Sequence, residues 1–146
     1  MNILFIADVY GSPGCAAVKA LLPNLIDERC IDFVVANVDN AAGGKGSTPE
    51  EIDALMAVGV HCFTSGNHVW EKESIMPYLD HKPIARPYNT AKLERGKGFH
   101  ILPTNNGNGF SVAVVHLQGE AFMKNKGPKM VNPFKVIDGL LDELRQ

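Results

Sequence analysis

The sequence predicts an α/β fold: a mainly parallel sheet flanked by helices, followed by an antiparallel hairpin. Three observations predict it. Short runs rich in β-branched and aliphatic residues alternate with stretches of helical spacing over the first half of the chain. Each of those runs ends at a polar residue beside glycine or asparagine. After Gly98 the pattern changes to two strand-like runs joined by a turn-rich segment.

Ile3 to Ala7 is a continuous apolar run, the pattern of a strand buried on both faces of a parallel sheet. Gly11-Ser12-Pro13-Gly14 then turns the chain. Val18, Leu21, Leu22, Leu25, Ile26 and Arg29 follow at helical spacing, with Pro23 expected to kink that helix because it lacks a backbone donor. Asp32 to Asn37 reads as a second buried strand. Thr48, Pro49 and Glu51 spell a capping box with proline at the first helical position, and Gly59 ends that helix. Val60 to Ser65 is the third strand, and Glu71 to about Leu79 a short helix irregular at Pro77. Phe99 to Pro103 and Ser111 to Leu117 form the hairpin, turning through 104–109. Asn132-Pro133 opens a last helix whose apolar positions are Phe134, Ile137, Leu140, Leu141 and Leu144. No repeat and no long linker divides residues 1–146, so one domain is expected.

Composition narrows the function. The chain has 146 residues, 45% apolar and 21% charged, with sixteen acids against fourteen Lys and Arg. A net charge of −2 with no basic block argues against gripping duplex nucleic acid through its phosphates. No stretch approaches the roughly 20 apolar residues of a membrane span, and the N-terminal run is too short for a signal peptide. Cys15, Cys30 and Cys62 are an odd number without a Cys-x-x-Cys pair, which predicts buried, reduced thiols and a cytoplasmic location.

The chemistry gathers at three strand ends. Asp8 follows the first strand, Asp39 and Asn40 the second, Asn67 and His68 the third. In a parallel sheet these junctions share the carboxyl edge, where open α/β folds bind ligands. Carboxylate, amide oxygen and imidazole are donors for a hard or borderline divalent cation. Each has a plainer reading: Asp8 as a turn former or helix cap, Asp39-Asn40 bonding their own backbone, His68 as a structural histidine. Gly43-Gly44-Lys45-Gly46-Ser47 lacks a Gly-Lys-Ser or Gly-Lys-Thr step and reads as a mobile loop whose Lys45 faces an anionic substrate. His61, His81 and His100 read as surface or strand-edge residues. His116 ends an apolar strand and could reach the same sheet edge.

Asp8-Val9-Tyr10-Gly11-Ser12-Pro13-Gly14, Asn37-Val38-Asp39-Asn40-Ala41-Ala42-Gly43-Gly44 and Ser65-Gly66-Asn67-His68-Val69-Trp70 together resemble the YmdB-like metallophosphoesterases of the calcineurin-like superfamily. Ile84-Ala85-Arg86-Pro87, Leu117-Gln118-Gly119 and Phe122-Met123 are similar to later motifs of that family. The resemblance implies a partial α/β/β/α sandwich and hydrolysis of small phosphodiesters such as 2′,3′-cyclic nucleotides. It implies two divalent metal ions, iron or manganese, with Asp8, Asp39, Asn40 and Asn67 as ligands. His68 would act at the leaving group. Two departures stand out. The family usually carries Glu where this chain has Asp39, and its His-x-Glu and Gly-x-His-x-His segments are absent here. The expected partners are therefore a small phosphodiester or cyclic nucleotide and, through strand edges left open, further copies of the chain as a homo-oligomer. The alternative expectation is a catalytically inactive, truncated relative that serves as a nucleotide-binding or oligomerisation module.

Overall fold

The computed structural model describes residues 1–90, 95–104, 109–121, 123 and 129–145. Four parallel strands, β1 (Ile3–Ile6), β2 (Phe33–Asn37), β3 (Cys62–Thr64) and β4 (Ile84–Ala85), lie side by side in sequence order. Ile3 pairs with Phe33, Val35 with Cys62 and Phe63 with Ile84, so all strand C-termini share one edge.

Side chains alternate across the sheet. Val34, Ala36 and Phe63 join a core with α1 (Gly11–Arg29), α2 (Pro49–Ala57) and α3 (Met76–His81), through Cys15, Val18, Leu22, Ile52, Leu55 and Leu79. Phe33, Val35 and Cys62 point the other way and pack against Leu102, Val112 and Val114 of the hairpin β5 (Phe99–Pro103) and β6 (Ser111–Val115). That hairpin is antiparallel, with Phe99 opposite Val115 and Pro103 opposite Ser111. The expected fold class holds, with helices on one face of the parallel sheet and the hairpin on the other.

Several elements differ from expectation for local reasons. The first strand is not buried on both faces: β1 is an edge strand, and Ile3 and Phe5 are 47% and 57% exposed. Gly11-Ser12-Pro13-Gly14 is the first turn of α1 rather than a separate turn. There Pro13 forfeits only a donor that has no intrahelical acceptor. Pro23 lies on the solvent side and α1 continues through it, while Leu21 is exposed and falls outside the stripe. The third strand is shorter than its apolar run, and β4, only two residues long, has no readable period. The irregularity near Pro77 is a 3₁₀ turn at Glu73–Ile75 that hands over to α3, where Pro77 is in the first turn.

The last helix begins as a 3₁₀ turn, Pro133–Lys135, capped by the Asn132 side chain, which accepts the Phe134 N–H at 2.9 Å. It continues as α4 (Ile137–Leu144), where Leu140 is buried and Phe134 stands outside the packed face. Cys15 and Cys62 are buried free thiols, but Cys30 is exposed, at the left-handed C-cap of α1. Burial pushes the Cys62 thiol up to about 12. Residues 105–108 of the expected turn and Phe122 lie outside the described residues. Among the described residues no helix is long and apolar enough to cross a membrane.

Candidate metal and phosphodiester site

At the end of β1, Asp8 adopts φ 42°, the left-handed region that non-glycine residues avoid. The following Val9 N–H donates to the Asn37 carbonyl at 2.9 Å, so the chain turns over the end of β2 at once. Asp8 is exposed, and its Oδ1 accepts the Asn40 side-chain Nδ2 at 2.7 Å.

The next junction centres on Asp39, a carboxylate that is only 9% exposed. Its Oδ1 accepts three hydrogen bonds from the β3 junction: Ser65 Oγ at 3.0 Å, the Gly66 N–H at 2.6 Å and the His68 N–H at 3.0 Å. Asn37 supports it from behind, accepting the Asp39 N–H on its own Oδ1 and donating from Nδ2 to Thr64 Oγ1. A buried carboxylate needs such donors. Three on one oxygen fix the other, Oδ2, in place. Gly66 allows this approach, because a Cβ there would lie 3.0 Å from Asp39 Oδ2.

The glycine loop after Asn40 is braced, contrary to the mobile reading. Gly46 N–H donates to the Asp39 carbonyl at 2.6 Å, Ala42 N–H to Gly46 at 2.8 Å, and Gly44 N–H to Asn40 at 3.1 Å. Gly46 has φ +72°, and a Cβ on it would meet the His68 carbonyl at 2.9 Å. Lys45 projects into solvent from this loop.

A cleft of about 410 Å³ opens over these strand ends, lined by Asn37, Asp39, Asn40, Gly66, Asn67, His116, Leu117, Gln118, Gly119, Ala121 and Met123. Asp39, Asn40 and Asn67 thus share one space. Asp8 joins through its bond to Asn40. The His68 ring is turned to Glu71 instead, with Nδ1 3.3 Å from Oε1, and it is not a wall of the cleft; its main-chain N–H is what binds Asp39.

The sequence allowed His116 to reach this edge, and it does line the cleft. His116 enters because the end of β6 is pinned to Pro87 by a parallel bridge and by the Tyr88 N–H donating to the His116 carbonyl at 2.8 Å. Burial pushes the His116 imidazole below its ordinary range, partly opposed by the Asp39 charge. Gln118 is buried and its main chain is clamped at both ends by Asn89, yet its Oε1 has no hydrogen-bond partner among the described residues. The signal available in the sequence was the alternation of His116 and Gln118 at the end of a strand.

The donors suit a hard cation. Asn40 spends its Nδ2 on Asp8, which leaves its amide oxygen for a metal, the orienting role outer groups play at such sites. Among the described residues, however, no three His, Cys, Asp or Glu side chains gather as a metal group. A pair of ions therefore needs donors beyond them.

The sequence model of the YmdB-like protein family matches residues 4–146. The chain belongs to the YmdB-like family. Within it, the chain is 38% identical over 144 residues to the 2′,3′-cyclic-nucleotide 2′-phosphodiesterase of Bacillus subtilis (strain 168), covering 98% of this chain and 52% of that one. A crystal structure of a hypothetical protein from Thermus thermophilus superposes with a TM-score of 0.88 at 36% identity, over 98% of this chain and 53% of that one. A novel phosphatase of known structure from Mycoplasma pneumoniae gives a TM-score of 0.85 at 28% identity, over 97% and 50%. The chain spans about half the length of these relatives.

Proposed function

We propose that this chain carries the strand-end half of a metal-dependent phosphodiesterase site for small phosphodiesters such as 2′,3′-cyclic nucleotides. The observation that carries the reading is the buried Asp39 carboxylate, held by three donors in one cleft with Asn40 and Asn67. The name of the Bacillus relative supports the substrate class.

In this reading Asp8, Asp39, Asn40 and Asn67 offer oxygen donors to divalent cations, two in the complete site, and iron or manganese is the metal that the resemblance implies. Bound cations supply charge for the phosphoryl oxygens and a water made acidic enough to attack. The chain's own groups do the rest. Asp39 is held fixed by its three donors and the Asn40 and Asn67 amides offer their oxygens, while His68 acts at the leaving oxygen only as an imidazolium whose ring has turned from Glu71 into the cleft. The metal centre also accounts for an anionic substrate on a chain of net charge −2. A cytoplasmic setting agrees with the three unpaired cysteines, and the reading includes self-association through the exposed edge strand β1.

A second reading, a catalytically silent nucleotide-binding or oligomerisation module, is favoured by the lack of three gathered metal-binding side chains among the described residues. One experiment separates the two. The purified chain is assayed for bound iron, manganese and zinc and for hydrolysis of 2′,3′-cyclic AMP and a chromogenic phosphodiester with added metal. Turnover that Asp8→Asn and Asn67→Ala abolish is the expected result. Metal-free protein without turnover gives the site to the second reading.

A further inference from the structure

The cleft has a second wall that the strand-end motifs do not include. His116 and Gln118 lie on the segment that leaves β6, and both line the cleft together with Asp39, Asn40 and Asn67. We propose that His116 and Gln118 are metal ligands, giving an imidazole nitrogen and an amide oxygen to the cation held by Asp39. The proposal rests on the phosphodiesterase reading of this cleft and adds two ligands to it.

Three independent observations meet here. First, Gln118 is only 8% exposed, and its Oε1 has no partner among the described residues. A buried amide oxygen left without a donor is costly, and such atoms in native folds call for an explanation such as a bound ion. Second, the segment is preorganised. Asn89, itself buried, accepts the Gln118 N–H at 2.9 Å and donates to the Gln118 carbonyl at 2.8 Å, so the side chain leaves a fixed backbone. Third, neither ring nitrogen of His116 is hydrogen-bonded to a described residue, although the ring is partly buried and lines the same cleft as Asp39. An imidazole without a partner beside a carboxylate has a lone pair available for a cation. The two residues add an imidazole and a second kind of amide donor to the oxygens of Asp39, Asn40 and Asn67 that line the same cleft. They also add the nitrogen ligand that manganese, iron and zinc sites commonly include.

The test uses Mn²⁺ alone with the purified chain. Mn²⁺ affinity is measured by titration for the wild type, His116→Ala, Gln118→Leu and Asp39→Asn, and the bound ion is examined by pulsed electron paramagnetic resonance. The expected result is an affinity loss of about tenfold or more in each variant, with the ¹⁴N coupling of a directly bound imidazole present in the wild type and lost in His116→Ala. Gln118→Leu should also raise the denaturation midpoint of the metal-free protein, because it removes an orphaned polar atom while keeping the volume. A merely structural glutamine would give a lower midpoint. Wild-type affinity in His116→Ala and Gln118→Leu, alongside loss in Asp39→Asn, overturns this proposal and leaves the Asp39 site standing. No Mn²⁺ binding by the wild type at millimolar concentration overturns both.

Discussion

Asp8 illustrates how function and stability part company in a single residue. Its backbone is at φ 42°, a conformation that costs an L-residue with a Cβ about 1–2 kcal/mol, and its carboxylate is exposed rather than packed. Among the described residues, the hydrogen bond of that side chain is the one it accepts from Asn40. Asp8→Gly should therefore stabilise the chain by up to about 1 kcal/mol in urea unfolding while weakening metal binding. Asp8→Ala keeps the strain and should be no more stable than the wild type. A glycine variant that loses stability would mean that the Asn40 bond outweighs the strain. At this scale the sequence was informative wherever a residue's place follows from where a strand ends, which is why Asp8, Asp39, Asn40 and Asn67 were readable. His116 was legible only as a strand end able to reach this edge, and the place of Gln118 was not, because it depends on how a distant hairpin lies across the sheet. The direction of the His68 ring depends on Glu71, a contact that no motif spells out.

At the scale of elements, local chemistry was legible and packing was not. The Thr48–Glu51 capping box forms as spelled, with Glu51 Oε2 accepting the Thr48 N–H at 2.8 Å. It sets where the glycine loop ends and α2 begins. Thr48→Ala should cost about 1 kcal/mol of unfolding free energy, read from the urea midpoint. An unchanged midpoint would mean that the loop's own hydrogen bonds fix α2 without the cap. Tertiary context decided the rest: β1 reads as a buried strand but occupies an edge, and β4 is too short to have a period. The hairpin carries a pH dependence of its own. His100 belongs to β5, opposite Val114, and its Nε2 is buried without a partner among the described residues. Burial pushes its imidazole below the ordinary range, against a bond to Ile84, while Lys97 pushes it further down. The folded chain therefore binds this proton less readily than the unfolded chain does. Its contribution to stability is complete above the unfolded value of about 6.5 and is lost as pH falls below it. His116, shifted down for the same main reason, acts in the same direction. Between about pH 7.5 and 5.5 the urea midpoint should fall for the wild type and fall less for His100→Gln. Equal slopes for the two proteins would show that His100 does not contribute.

For the whole molecule, the two faces of the parallel sheet are finished to different degrees. The helix face is closed by α1, α2 and α3, and its central side chains are fully buried. Among the described residues, the other face is covered over Phe33, Val35 and Cys62 by a two-stranded sheet. Ile3 and Phe5, which pair with Phe33 and Val35 in register, extend that same apolar face into solvent. A two-stranded sheet is marginal by itself, and an open edge strand bearing large apolar side chains is a template for pairing. Covering Phe5 alone would contribute about 1–2 kcal/mol, enough to favour association when several such residues meet at once. The expectation is that the chain self-associates through β1. Sedimentation velocity at high micromolar concentration should show a species larger than the monomer, and Phe5→Glu should return it to monomer. Because Phe5 is more than half exposed, the same variant should barely move the monomer's unfolding midpoint. A wild-type chain that remains monomeric across that range would remove β1 as a contact between copies. Phe5→Glu that unfolds the chain would instead show that Phe5 belongs to the monomer's core.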